Sequence, residues 1–395
     1  MRILLVHNRY TQFGGEDTTY LGEKALLEAN GQHVDALEFS NEEVQGAAGK
    51  LGLLWRAFYN PEAARRLREK VAGFKPDVIH VHNFFYVASA AIFIEARRLG
   101  VPVVATIQNY RLICNSAYLM REGKVCELCV NETFPLHGIK YACHRGSRLQ
   151  SAHLTAVTGW HKAQGTFVNS INRFITVTEF NRNKLLNSSL RPAPGQVIAK
   201  PNSVADAGHS PVSGRTGGYL FVGRLSPEKG IETLLKAAEQ GRFPLRILGG
   251  GPLEELVRGY AQRLPNVAYL GFQSRDFILA EMKQARALLF PSVWYEGLPL
   301  TILEAMSTGL PIIISNLGNL NEIVTHGIDG LTFEPGNAQA LAQRVGEFEA
   351  QNLLSTLSQG ARQTYLNRYT HEGNFIALMR IYEGVNGKRK MENGK

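Results

Sequence analysis

Three features of the sequence predict an α/β fold built from two doubly wound, Rossmann-like domains. Short β-branched or leucine-rich runs alternate with amphipathic stretches along almost the whole chain, as in a parallel sheet covered by helices. The alternation lapses once, over 203–216, where glycine, serine and proline crowd together, and then restarts. A length of 395 residues suits two domains of ordinary size.

In the first half, strands are expected over 2–7, 33–38, 77–82, 102–106 and 173–178, each a short apolar run bounded by polar or turn-forming residues. Helices are expected between them. One spans 16–30 and stops at Gly31; another spans 87–99 and stops at Gly100, glycine being suited to the left-handed residue that closes a helix. Pro192, Pro194, Gly195 and Pro201 then break the pattern. Beyond the break, strands are expected over 218–222, 245–248, 267–270, 287–290 and 311–315, again with helices between. Phe375, Leu378, Met379 and Tyr382 recur at helical spacing and predict a final helix. The domains are therefore taken as 1–205, with an insertion at about 112–147, and 206–370. The helix over 371–387 is read as a return to the first domain, and 388–395 as a disordered tail. Open α/β sheets bind ligands at the carboxyl ends of their strands, so the site is expected in a cleft between the domains.

Composition narrows the function. Hydrophobic residues at 44% and charged residues at 19% are near globular averages, which excludes a disordered chain. The longest apolar candidate, 84–94, is ended by Glu95, Arg97 and Arg98, too short to span a bilayer. The amino terminus reads as a strand rather than a secretory signal, so a cytoplasmic location is expected. A net charge of +9 favours anionic partners, yet zinc-finger, RNP and basic-zipper patterns are missing, so nucleic acid is not among the expected partners.

The most informative stretch, Trp294-Tyr295-Glu296-Gly297-Leu298-Pro299-Leu300-Thr301-Ile302-Leu303-Glu304, follows a strand and places two carboxylates eight positions apart. With a helix beginning near Pro299, the backbone N–H groups around Leu298 and Leu300 would face an anion at the helix start. Glu304, one turn on, suits a ribose diol better than a phosphate, since a carboxylate accepts from hydroxyls and repels anions. Upstream, Gly223-Arg224-Leu225-Ser226-Pro227-Glu228-Lys229-Gly230 sets two cations five positions apart after another strand. A guanidinium and an ammonium there are complementary to a leaving diphosphate. Gly249-Gly250-Gly251 forms a third strand-to-helix loop, in which glycine admits a flat group to the backbone.

Taken together, Arg224, Lys229, Glu296 and Glu304 resemble the marker set of retaining glycosyltransferases of the GT-B fold, family 4 type, the glycosyl transferases group 1. The resemblance covers nearly the whole chain and includes Gly318, Glu322 and the run 327–336. It implies that Glu304 binds the nucleotide ribose, that Arg224 and Lys229 bind the diphosphate in place of a metal, that Glu296 lies by the transferred sugar, and that the base sits near Gly251 and Phe272. It further implies that Gly14 and Gly15, in the first strand-to-helix loop, come close to donor phosphate and acceptor. The family's T-x-H-N-Y segment is met by Thr106-Ile107-Gln108-Asn109-Tyr110, with Gln108 where relatives have a histidine. A glutamine cannot carry a proton reversibly, although it hydrogen-bonds to hydroxyls. His80 and His82 alternate on one strand and are read mainly as core residues, His82 being the better functional candidate.

All four cysteines, Cys114, Cys126, Cys129 and Cys143, lie within thirty residues. In a cytoplasmic chain a C-x2-C pair with two flanking thiols reads as a structural zinc site, His144 being a spare ligand; free thiols, an iron–sulfur cluster and disulfides are the rivals. Finally, 51–74 mixes Trp55, Phe58, Tyr59 and Leu67 with Arg56, Arg65, Arg66, Arg68 and Lys70. That basic amphipathic pattern suits peripheral contact with an anionic membrane, or else an ordinary solvated helix face. The expected function is transfer of a sugar from a nucleoside diphosphate sugar, UDP-linked first and GDP-linked second, to a hydroxyl acceptor, with no catalytic cofactor. A sugar-nucleotide epimerase or hydrolase, and a non-catalytic binding homologue, stay open as alternatives.

Overall fold

Two six-stranded parallel sheets organise the protein in the computed structural model, which describes residues 1–11, 14–43, 52 and 54–392. The first contains β1 (Arg2–Arg9), β2 (His33–Ser40), β3 (Val78–Val81) and β4 (Val103–Ile107). A small antiparallel hairpin, β5 (Met120–Arg121) with β6 (Lys124–Val125), interrupts the chain before β7 (Arg173–Thr176) and β8 (Val197–Ala199) complete the sheet. The order is β2-β1-β3-β4-β7-β8. The second sheet contains β9 (Tyr219–Val222), β10 (Leu245–Leu248), β11 (Val267–Tyr269), β12 (Ala287–Phe290), β13 (Ile312–Ser315) and β14 (Gly330–Phe333), in the order β11-β10-β9-β12-β13-β14.

The two orders place the topological switch point differently. In the first sheet it lies between β1 and β3; in the second, between β9 and β12. Each is the position at which neighbouring crossovers diverge to opposite faces and leave a crevice at the carboxyl ends of the strands. β3, β9, β12 and β13 are buried at every residue, as strands covered on both faces must be.

By its contacts the chain divides into two units. One comprises Met1–Leu119, Glu127–Pro201 and the closing segment from Asn374; the other comprises Met120–Cys126 and Asn202–Gly373. In the first, Ile3, Leu5, Val78, Val104 and Ile175 present one face of the sheet to Tyr20 and Leu27 of the helix Gly15–Ala29 and to Leu378, Tyr382 and Val385 of the last helix, His371–Glu392. Each such buried side chain contributes roughly 1.5–3 kcal/mol of transfer free energy. In the second, Phe221, Ile247, Leu289 and Ile313 pack with Leu234 and Leu235 of the helix Ile231–Gly241 and with Leu341 and Phe348 of the helix Ala338–Ala350.

Several boundaries differ from expectation for local reasons. The helix expected from residue 87 begins at Ala91, because the N–H groups of Val87 and Ala88 donate to Asn8 Oδ1 at 2.9 and 3.0 Å and hold that stretch in turns. The last helix continues to Glu392 where a tail was expected, its Lys, Arg, Met and Glu residues being good helix formers; residues 393–395 lie outside the described residues. The units part at Pro201, ahead of the glycine- and serine-rich stretch, since Val204 is already buried and its carbonyl accepts from Tyr365 Oη.

Candidate functional site

In the second unit, the crevice at the ends of β9 and β12 is built around Lys229 and Glu296. Lys229 Nζ lies 2.7 and 2.9 Å from the two carboxylate oxygens of Glu296, which also accepts from Ser292 Oγ. Glu296 is buried, while the lysine remains partly open to solvent. The ammonium also sits 5.5 Å from the ring centres of both Phe290 and Trp294. The backbone makes this pairing: Pro227–Lys229 is a single 3-10 turn closed by Gly230 at φ 70°, and a Cβ at Gly230 would come within 1.9 Å of the Pro291 carbonyl. Only glycine lets the two loops meet so closely. Val293 N–H then donates to Glu228 O at 3.0 Å and ties them together.

The helix Leu300–Ser307 follows, with Pro299 at its N-cap and no side chain capping it. Glu304 is in its second turn. Its carboxylate accepts from Arg275 Nε at 2.9 Å, and burial, opposed by that arginine, pushes its pKa upward. Asn319 Nδ2 donates to the Gly297 carbonyl and braces the preceding loop. Leu298 is buried, Leu300 partly so, and Arg224 is exposed. The triple-glycine loop has a protein reason: an added Cβ at Gly249 or Gly251 would fall 1.9 Å from Gly223 O or 2.5 Å from Leu225 O. Its glycines let this loop pack against the one carrying Arg224, so the loop's conformation alone does not require a ligand.

The first unit offers a different crevice. At its amino end, Asp17 accepts from Gly14 N–H at 2.9 Å and from His7 Nε2 at 2.9 Å, fixing the start of the helix Gly15–Ala29 against β1. Gly14 and Gly15 have ordinary surroundings, since an added Cβ at either meets nothing within 4 Å. Glu16, pushed upward in pKa by burial, accepts from Asn109 Nδ2 at 2.7 Å. A small cavity beside it is lined by His82, Asn83, Phe85, Gln108, Asn109 and Arg111 among others.

Behind this crevice lies a buried network. His80 Nε2 is 2.7 Å from Thr106 Oγ1, and its Nδ1 is 2.7 Å from Tyr382 Oη and 2.9 Å from Glu23. Lys200 Nζ donates to Glu23 at 3.3 Å and to Asn374 Oδ1 at 3.0 Å. His82, 3.2 Å from Glu23, is held near pKa 4, chiefly by burial and then by His80. Both histidines face the same side of β3 and are core residues, His80 fully partnered.

Two family models match the chain. That for "Glycosyl transferase 4-like domain" spans 24–201, and that for "Glycosyl transferases group 1" spans 213–364, so together they take in most of both units. The chain belongs to this glycosyltransferase family. An uncharacterized glycosyltransferase of Methanocaldococcus jannaschii is 35% identical over 130 residues, which are 31% of this chain and 33% of that protein. The alignments with the curated relatives thus take in a third to about half of the relatives' length. Among solved structures, the sucrose-phosphate synthase of Thermosynechococcus elongatus superposes with a TM-score of 0.71 at 17% identity, covering 98% of this chain and 99% of that one. Anabaena HepE in complex with UDP gives 0.68 at 16% identity, over 97% and 100%. These likenesses establish the GT-B fold.

Within the glycosyltransferase fold, the residues expected from sequence separate cleanly. Lys229 and Glu296 touch, whereas Glu304 is paired with Arg275 and Arg224 stands in solvent. Ser292, Arg275 and Asn319 went unnoticed in the sequence; Arg275 and Asn319 act on residues 29 and 22 positions away that only the fold brings near. Ser292 alone left a signal, as the last residue of Phe290-Pro291-Ser292 ahead of the glutamate loop.

No disulfide joins the four cysteines. Cys114, Cys129 and Cys143 belong to the first unit, and Cys126 ends the hairpin segment assigned to the second. Burial, followed by the charges of Cys114 and Glu132, pushes the Cys129 thiol up to about 12. Among the described residues, the group of His, Cys, Asp or Glu ligand atoms that lies within 4.8 Å of one another is Glu23, His80 and His82, so three thiols are not drawn to ligand spacing. The spare candidate His144 is instead 2.7 Å from Tyr86 Oη and is lowered to about 4, first by burial. No helix of the described residues is long and apolar enough to cross a membrane.

Proposed function

We propose that the protein transfers a sugar from a nucleoside diphosphate sugar to a hydroxyl acceptor with retention of anomeric configuration. The observation that carries this reading is the Lys229–Glu296 pair at the switch point of the second sheet, with a ribose-type carboxylate, Glu304, one helix turn beyond the same loop. Lys229 and the exposed Arg224 neutralise the departing diphosphate, and Glu296 with the backbone at Leu298 and Leu300 orients the sugar. The acceptor oxygen bonds to the anomeric carbon on the face from which the phosphate leaves. The bond pair departs with the phosphate, one of whose oxygens takes the acceptor proton. HepE carries UDP in its solved complex, which favours UDP over GDP as the base-bearing group here.

On the first unit, Gly14 and Gly15 fit a close ligand approach because no packing or backbone demand calls for glycine there. Gln108 in place of histidine favours a second reading, a homologue that binds donor without turnover. Titrating UDP, GDP and UDP-glucose, then following products by NMR, separates the readings. An α-linked product from an α-linked donor supports retaining transfer. Free sugar, an epimer, or binding without product points to the alternatives.

Two further roles belong to the same proposal. A structural zinc on the cysteine cluster would relieve the penalty on the Cys129 thiolate without taking part in transfer. Metal analysis that finds no zinc, with Cys126→Ser and Cys129→Ser melting like the parent, removes it. Peripheral contact with an anionic cytoplasmic membrane face is suggested by Trp55 and Leu149, 80% and 81% exposed, with Arg56 and Arg148 beside them in sequence. Failure to sediment with phosphatidylglycerol vesicles removes that.

A further inference from the structure

The cavity at the carboxyl ends of β3 and β4 has a chemistry that sugar transfer alone does not call for. Arg111 lies on its wall with its guanidinium 5.5 Å from the ring centre of Phe85 and 5.9 Å from those of Tyr10 and Tyr86. Three aromatic rings hold it in place, and the hydroxyls of Tyr10 and Tyr86 lie toward it. Its Nε is shut off from solvent without a hydrogen-bond partner among the described residues, as is Gln108 Nε2 on the same wall. Buried donors are nearly always satisfied, so two together on one cavity wall mark a place for acceptor oxygens brought from outside.

The sign of the charge selects which oxygens. Arg111 is a permanent cation, Arg145 adds a second field at Tyr86 and His144, and His144 is kept neutral. The opposing charge is Glu16, but its carboxylate already accepts from Asn109 and burial drives it toward the neutral acid. The cavity volume, about 30 Å³, admits a single small group and not a sugar ring.

We propose that this cavity is a subsite for one acidic group of the acceptor, a carboxylate or a phosphate, bound by Arg111 with Gln108 as second donor. Arg111 is then a specificity-determining residue, and Gln108 earns its place as a neutral donor beside an anion. This inference rests on the reading of the first unit as the acceptor side.

The test uses the full chain carrying Arg224→Ala and Lys229→Ala, so that the donor-side cations cannot bind the probes. Glucuronate, glucose 1-phosphate and glucose are titrated by calorimetry. Expected is binding of at least one acidic probe about ten-fold or more tighter than glucose, with the advantage shrinking as salt rises. Adding Arg111→Gln should bring that advantage below about two-fold, and Arg111→Lys should restore part of it. The better of the two acidic probes tells carboxylate from phosphate. Should Arg111→Gln melt before titration, competition of acetate and inorganic phosphate with glucuronate on the folded parent decides instead. Equal binding of glucose and both acidic probes, or an acidic preference that survives Arg111→Gln, overturns the subsite. If wild-type protein still transfers sugar to neutral acceptors in that case, the transferase reading stands while this inference falls.

Discussion

The two crevices of this glycosyltransferase are made by the same device and filled in opposite ways. In the second unit, charges meet charges at the ends of β9 and β12: Lys229 with Glu296, Arg275 with Glu304. In the first, the ends of β1, β3 and β4 carry amides, aromatic rings, neutral histidines and a caged arginine with unmet donors. A pre-paired charged crevice suits a ligand whose charge changes during reaction, because the pair can re-partner as the charge develops. A crevice of fixed groups with open donors suits recognition of a ligand that does not change.

That contrast breaks most readily at Lys229. Lys229→Ala is expected to lower the transfer rate by roughly 100- to 1000-fold while uridine binds as before, the effect of losing one positioned charge at a developing anion. Equal losses for uridine and for UDP-glucose turnover would show a binding role only. Next in size is an acid test of the first unit. His82 is held neutral near pKa 4 against an ordinary 6.5, and Glu23, which burial alone would raise, is held well below its ordinary value by Lys200 and then by His80 and His82. A depressed histidine stabilises fully above pH 6.5 and loses that contribution as pH falls toward 4, about 3 kcal/mol for a shift of this size. Glu23 adds a loss in the same direction at lower pH still. Urea unfolding across this range should fall steeply for the parent and less so for His82→Asn.

A smaller effect is expected at Glu304. Glu304→Ala should weaken UDP by about 1.5–3 kcal/mol, the range for hydrogen bonds to a charged group. Unchanged affinity by calorimetry would remove Glu304 from the site. Smallest is the pH dependence of that affinity. Because the Glu304 pKa is raised, its ionised form, and with it the affinity, should be lost at a higher pH than for an exposed glutamate; Arg275→Gln should move the loss higher again. A loss that begins only at the ordinary glutamate value would argue that Glu304 is not the titrating group.

The same contrast explains what could be read from the sequence. The second unit was legible because its chemistry sits on short loops directly after strands, at fixed spacing, so Arg224, Lys229, Glu296 and Glu304 stand out as letters. The parallel sheets were legible for a similar reason, from apolar runs and their punctuation. β8 and β14 escaped notice, each three or four residues long and lying beside proline- or glycine-rich stretches. In the first unit, the cavity is assembled from residues 81–85, 105–109 and 111–112, and of these only the segment around Gln108 carried meaning before the fold joined them. Arg111 directly follows the Thr106–Tyr110 segment and stands outside its pattern. The glycine loop at 249–251 misled in the other direction, since its glycines answer to a neighbouring backbone.

The return of the last helix to the first unit has a consequence for how the chain is made. Leu378, Tyr382 and Val385 cover Ile3, Leu5 and Val78, and Asn374 and Tyr382 partner Lys200 and His80, so the first unit is finished by residues made after the whole of the second. During synthesis the second unit has all its strands outside the ribosome while the first still shows a bare apolar face. The order of completion is the reverse of the order of translation. A chaperone that binds nascent chains should therefore remain on the amino-terminal half until the last helix has emerged, and a chain stopped at Gly373 should be held by it rather than released.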